Sequence, residues 1–191
     1  MQNNLEFVTD GSVVYRLGGN EWYAVEQDED KVMLVDTDCK VAGKDLKTRW
    51  SNGDCRNKDG KNGQAILDYI NGIADTYFSN IKYAIEPRVI NAGTGKIEYA
   101  WMWPMSKEEF DGNKVIGGRI VHNTYSNVWT RTFSDIDSIY CYAWFVYSAG
   151  GDLGYVNFVL HVAPAFYLKK SAIDHINEDG EIVLKPEDNV N

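Results

Sequence analysis

Apolar positions fall at strand-like spacing over the first forty residues and at helical spacing after residue 65. Val13-Val14-Tyr15-Arg16-Leu17 stops at Gly18-Gly19-Asn20, a turn signal, and Trp22-Tyr23-Ala24-Val25 resumes the pattern. Gln27-Asp28-Glu29-Asp30 is a polar turn before Lys31-Val32-Met33-Leu34-Val35-Asp36. The β-branched and aromatic content of these runs predicts a three-strand meander. A polar, Gly-rich loop fills 51–63. Beyond it Ile66, Leu67, Ile70, Ile73, Ala74, Tyr77 and Phe78 form one apolar stripe at helical spacing. That stripe predicts a helix over 65–79, capped by Asn62, with Gln64 and Asp68 facing outward. Its Gly72 costs only about 1 kcal/mol.

Ser106-Lys107-Glu108-Glu109-Phe110 suits a short capped helix. From 114 to 168 the pattern predicts strands over 114–121, 127–133, 141–148, 155–162 and 163–168. Ser134-Asp135-Ile136-Asp137 and Gly150-Gly151-Asp152 are the turns expected between them. No internal repeat or linker divides the chain. The expectation is one α+β domain over 1–168 with an acidic C-terminal extension over 169–191.

The 191 residues are 44% hydrophobic, 25% charged and 13% aromatic, which excludes disordered, collagen-like and coiled-coil classes. No stretch reaches the ~20 apolar residues of a membrane helix, so membrane insertion is not expected. The start, Met1-Gln2-Asn3-Asn4-Leu5-Glu6, lacks the basic and apolar regions of a signal peptide, an expectation of cytoplasmic synthesis. The net charge is −9, and residues 171–191 hold six acids against one Lys, so about half of it lies in that tail. An acidic surface with no basic stripe repels phosphate backbones, and nucleic acid is not expected as a partner. Cys39, Cys55 and Cys141 cannot all pair within one chain; they read as reduced thiols, with a Cys39–Cys55 bridge as the alternative.

Catalytic patterns nearly form and then fail. Gly93-Thr94-Gly95-Lys96 resembles a phosphate loop, but Ile90 stands where the first Gly belongs and Ile97 replaces the metal-binding hydroxyl; a hairpin turn is expected instead. Asn57-Lys58-Asp59-Gly60 resembles part of a calcium loop, but Cys55 and Ile66 occupy the positions of two oxygen ligands. His122, His161 and His175 are scattered and the cysteines lack zinc spacing. No GxSxG elbow occurs, and Cys141 lies in an aromatic strand that solvates a thiolate poorly. The expectation is no catalytic residue, no metal and no cofactor, with a melting temperature that calcium and chelator leave unchanged. A shift of several degrees with added calcium would contradict it.

Aromatic residues concentrate late in the chain. Strand alternation puts Tyr140, Tyr142 and Trp144 on one face and Cys141, Ala143 and Phe145 on the other. One face must be core. The other either presents rigid amphipathic rings suited to sugars or a protein partner, or is itself buried under loops.

Six segments, in order, resemble the DUF6273-type domains of bacteria and phages, a family related to the C-type-lectin-like and formylglycine-generating-enzyme-like fold. Leu17-Gly18-Gly19-Asn20-Glu21-Trp22 resembles the opening LGGxxW, and Ile66-Leu67-Asp68-Tyr69-Ile70-Asn71 with Tyr77-Phe78 resembles the LRxYLNxxFY helix. Trp103-Pro104-Met105-Ser106-Lys107-Glu108-Glu109 stands at LLSxEE, and Trp129-Thr130-Arg131-Thr132 resembles WLRSP. Ala143-Trp144-Phe145-Val146 before Gly150-Gly151 resembles AWxVxxxG, and Val162-Ala163-Pro164-Ala165-Phe166-Tyr167-Leu168 resembles VRPALWL. Thr132 and Phe133 replace a Ser-Pro, and Ala163 replaces an Arg. The resemblance covers about 5–168. It implies a small twisted, mostly antiparallel sheet flanked by about two helices, with a long irregular loop region used for ligands. The copper chemistry of formylglycine-generating enzymes needs paired cysteines, and Cys141 has no sequence neighbour to pair with. Calcium-dependent lectins carry an EPN-type loop and a later WND; Glu86-Pro87-Arg88 comes too early and no WND follows.

In that fold the late loops point to one side, which places Asp135, Asp137, Tyr140, Tyr142, Asp152, Tyr155 and Asn157 together as the expected ligand face. Trp129 and Arg131 are expected to hold the fold. The functional expectation is a non-enzymatic binding or structural module. Its most specific form is a phage virion component (tail, fibre or capsid decoration), made in the host cytoplasm and contacting other virion proteins or a cell-surface glycan or protein, with homo-oligomerisation allowed. The alternative is a carbohydrate-binding lectin on a bacterial cell surface.

Overall fold

A computed structural model describes residues 5–134, 140–148 and 150–190. Tyr15–Leu17 (β1), Asn20–Gln27 (β2) and Lys31–Asp36 (β3) form the expected N-terminal meander. At the first turn Gly18 and Gly19 have φ of 62° and 77°, a region that side chains disfavour. A Cβ on Gly18 would also lie 3.0 Å from Phe78 Cε1. The Gly-Gly pair therefore turns the chain and lets it close on the core. Short strands Lys40–Val41 (β4) and Lys44–Asp45 (β5) precede Lys47–Arg49 (β6).

The helical stripe forms α1, Gln64–Tyr77, with Ile66, Leu67, Ile70, Ile73 and Ala74 buried. Asn62 is not its cap. Gly63 holds that position with no side-chain bond, and Asn62 Oδ1 instead accepts the Gln64 N–H at 2.9 Å. The chain then runs through Ile85–Glu86 (β7), the hairpin Arg88–Ala92 (β8) and Gly95–Ala100 (β9), and Trp103–Pro104 (β10). Gly93 and Thr94 form the tip of that hairpin, as the failed phosphate-loop pattern implied.

Lys107–Gly112 (α2) opens with a full capping box between Ser106 and Glu109. The strand expected over 114–121 is instead a helix, Lys114–Thr124 (α3). Its β-branched Val115, Ile116, Ile120 and Val121 suggested a strand, but Ile116, Gly117, Ile120 and Val121 are buried at helical spacing. Gly117 packs where a Cβ would meet Phe110 Cδ1 at 2.8 Å, so α3 can lie directly against α2. The described residues thus contain three α-helices rather than about two.

Val128–Ser134 (β11), Tyr142–Tyr147 (β12), Gly150–Tyr155 (β13), Val159–His161 (β14) and Pro164–Lys169 (β15) follow. Gly150-Gly151-Asp152 is not a turn. These residues begin β13, opposite Tyr147, Val146 and Phe145, and the strand expected over 155–162 divides between β13 and β14. Ile173–Ile176 (β16) and Ile182–Leu184 (β17) form a last hairpin.

The architecture is mixed α+β with mostly antiparallel sheets. One sheet runs β1-β2-β3-β15-β10, with β7 also pairing β15; the other runs β13-β12-β11-β14-β6, where β11 and β14 are parallel. Trp22 anchors the first, edge-on to Phe166 at 4.8 Å and to Phe78 at 5.6 Å. The C-terminal hairpin joins this core: Ala172, Ile173 and Ile182 are buried, and Arg16 N–H donates to Gly180 O at 3.0 Å.

Arg131 ties the second sheet to α2. Its guanidinium donates to both oxygens of Glu109, at 2.5 and 2.8 Å, and to Pro104 O at 3.0 Å. Glu109 Oε2 also accepts the Ser106 N–H at 2.7 Å. One carboxylate therefore closes the capping box and holds the arginine, a forked arrangement that fixes geometry as well as charge. Trp129 and Arg131 occupy the fold-holding positions expected of them.

Candidate functional site

Register on β12 and β13 builds the aromatic site. Tyr142 lies opposite Tyr155, and the period of two puts Trp144 and Leu153 on the same face. Cys141 and Ala143 are buried, so the opposite face meets the core there. The Tyr142 and Tyr155 rings stack 5.0 Å apart at 26°. Tyr140 meets Tyr155 edge-on at 5.6 Å, and Phe158 meets it at 5.4 Å. Four rings thus form a ladder centred on Tyr155. Its three tyrosines are half-buried, while Phe158 is 48% and Val159 57% exposed.

A short turn places Phe158 there: its N–H donates to Tyr155 O at 2.9 Å. The turn carries Asn157, which is exposed at the ladder's edge. Beyond Tyr142, Trp144 continues the face beneath the Lys107 ammonium, 4.9 Å from the ring. Lys107 also pairs with Asp111.

Of the seven residues expected on the ligand face, Tyr140, Tyr142 and Tyr155 come together, with Asn157 beside them. Asp152 does not join them. It stands opposite Phe145, on the other face of β13, and its Oδ1 accepts the Leu153 N–H at 2.7 Å. Asp135 and Asp137 lie outside the described residues. Phe158 belongs to the ladder and was absent from the expected face. Its signal was its place in the late aromatic cluster, three residues after Tyr155.

A separate polar cleft of about 590 Å³ lies between the 51–59 loop and the start of α1, where Asn52, Asp59, Asn62, Gln64 and Asp68 line it. None of the ladder rings lines this cleft. Gln64 is already engaged there, accepting the Lys96 N–H at 2.9 Å and donating to Asp68 at 2.8 Å. The cleft can hold a small hydrogen-bonding ligand, but it offers no ring on which a sugar could stack.

Among the described residues no three His, Cys, Asp or Glu side chains are grouped to hold a metal ion. His161 faces Asp45 at 3.8 Å, His175 bonds Asp174, and His122 packs near Tyr125, each in a different part of the fold. Desolvation lowers the His161 pKa, helped by Lys47 and opposed by Asp45. Burial pushes the Cys141 thiol up, so it is protonated at neutral pH.

No helix of the described residues is long and apolar enough to cross a membrane. No protein-family model, curated protein or solved structure matches the chain.

Proposed function

We propose that this protein is a non-enzymatic binding module with a C-type-lectin-like fold of the DUF6273 type. The observation that carries the reading is the ladder of Tyr140, Tyr142, Tyr155 and Phe158 on the face of the second sheet opposite the buried Cys141 and Ala143. Stacked tyrosines offer a large, stiff, amphipathic contact at little entropic cost, and Asn157 beside them can exchange hydrogen bonds with sugar hydroxyls or partner amides. The resemblance adds support at two places where its segments have a physical task. Gly18 and Gly19 make the turn before Trp22, and Ser106, Glu109 and Arg131 make one bonded unit.

Its most specific form is a phage virion component, a tail, fibre or capsid-decoration protein that presents the ladder to other virion proteins or to a host surface. The same face would serve a bacterial surface lectin, and the tyrosine–asparagine chemistry favours a glycan in that case. Co-sedimentation of the purified protein with phage particles, run beside a panel of bacterial surface glycans, separates the two. Binding to particles supports the virion form, and binding to a glycan alone supports the lectin. Binding to neither contradicts the module.

A further inference from the structure

Cys55 and Cys141 are far apart in sequence and adjacent in space. The Cys141 N–H donates to Cys55 O at 2.5 Å. Backbone bond lengths then hold the two Cα atoms within about 6.4 Å of each other. That separation falls inside the range of about 4.4–6.8 Å that disulfides span. The Cys141 Sγ lies under the turn that Cys55 begins, 3.2 Å from Asn57 O. A Cβ on Gly60 would stand 3.0 Å from the same sulfur, so the turn closes tightly over it. Cys55 is half-exposed and Cys141 is 6% exposed, whereas Cys39 is fully buried.

We propose that Cys55 and Cys141 form an oxidative cross-link site, which a small-molecule disulfide converts from two thiols to one intrachain disulfide. The more exposed Cys55, as thiolate, attacks one sulfur of the oxidant and releases one thiolate, leaving a mixed disulfide. Cys141, as thiolate, then attacks the Cys55 sulfur, forms the Cys55–Cys141 bond and expels the second oxidant thiolate. The protein thiols give up two protons and two electrons, and the oxidant is reduced to two thiols. Burial holds the Cys141 proton on, with Lys61 opposing it, so the closing step speeds up as pH rises.

The cross-link joins the wall of the polar cleft to the ladder. Cys55 lies in the loop whose neighbours Asn52, Gly53 and Asp59 wall the polar cleft, and Cys141 sits between Tyr140 and Tyr142 of the ladder. Closing the bond pins the loop to the strand and ties both to one covalent point. The geometry, and not the proposed partner, carries this inference.

Glutathione disulfide is the probe. After incubation and an acid quench, one of the three thiols should remain titratable, and tryptic peptides 50–56 and 132–169 should be joined. The melting temperature should rise by about 5 °C or more, because the bond closes a long loop. Cys39→Ser should still form the link, and Cys55→Ser should show neither link nor rise. Three remaining thiols, a glutathione adduct that never resolves, or a link containing Cys39 would each overturn the proposal.

Discussion

Truncating Trp129 to Ala is expected to cost about 3–5 kcal/mol, the range for a fully buried large aromatic. The indole has no solvent exposure and packs edge-on to Phe145 at 6.1 Å. Gly154 faces it so closely that a Cβ there would meet the ring at 3.0 Å. Gly154 has no side chain with which to fill the space left on that side. The indole N–H also donates to Phe158 O at 3.4 Å, tying the turn that carries the ladder's outermost ring. For a chain of this size the loss lowers the melting temperature by about 6–20 °C. Urea titration of Trp129→Ala measures it directly. A variant as stable as the parent that lost only partner binding would move Trp129 from core to contact surface.

Stability should fall as pH rises from about 4 to about 8, and Asp36 is the reason. Its carboxyl is 1% exposed, and burial pushes its pKa up from 3.8 to about 8. Backbone N–H groups of Asp38, Lys40 and Cys39 favour the ionised form, and nearby Asp38 opposes it. The folded pKa lies above the unfolded one. The stabilising contribution is therefore full below about 4, is lost as pH rises through the folded value, and is gone above about 8. The slope reaches about 1.4 kcal/mol per pH unit inside that window. Asp36→Asn removes the titration and keeps an acceptor for the Asp38 and Lys40 N–H groups. Comparing the unfolding free energies of parent and variant across pH 4–9 isolates Asp36 from His161. The parent's advantage should shrink steadily to pH 8 and then level off. A constant difference would mean that Asp36 is ionised in the folded protein throughout.

Local signals in the sequence were legible where one element settles them alone. The α1 stripe is visible because five buried apolar residues repeat at helical spacing, and Ser106 with Glu109 announces α2 through a cap only four residues long. The helix α3 was not legible. Its Val115, Ile116, Ile120 and Val121 favour a strand in isolation, and what overrides them is the contact of Gly117 with Phe110 on a neighbouring helix. The ladder was half legible. Alternation exposed Tyr142 and Trp144 together, but the pairing of Tyr142 with Tyr155 depends on hairpin register. Reading Gly150-Gly151-Asp152 as a turn instead of a strand put Asp152 with the tyrosines, on the wrong face. The nearness of Cys55 to Cys141 is purely tertiary, since the two lie far apart in the chain and meet only through contacts between loop and strand.

The claim that the ladder is a binding surface is tested most directly by the Tyr142→Ala, Tyr155→Ala double variant. Binding to phage particles, or to whichever glycan the parent retains, and melting temperature are measured on the same preparations. Contact residues of this kind contribute about 1–4 kcal/mol together. The double variant should therefore bind about fivefold to almost a thousandfold more weakly, with its melting temperature within a few degrees of the parent's. Unchanged binding with a clearly lowered melting temperature would contradict the account and make the tyrosines part of the packing.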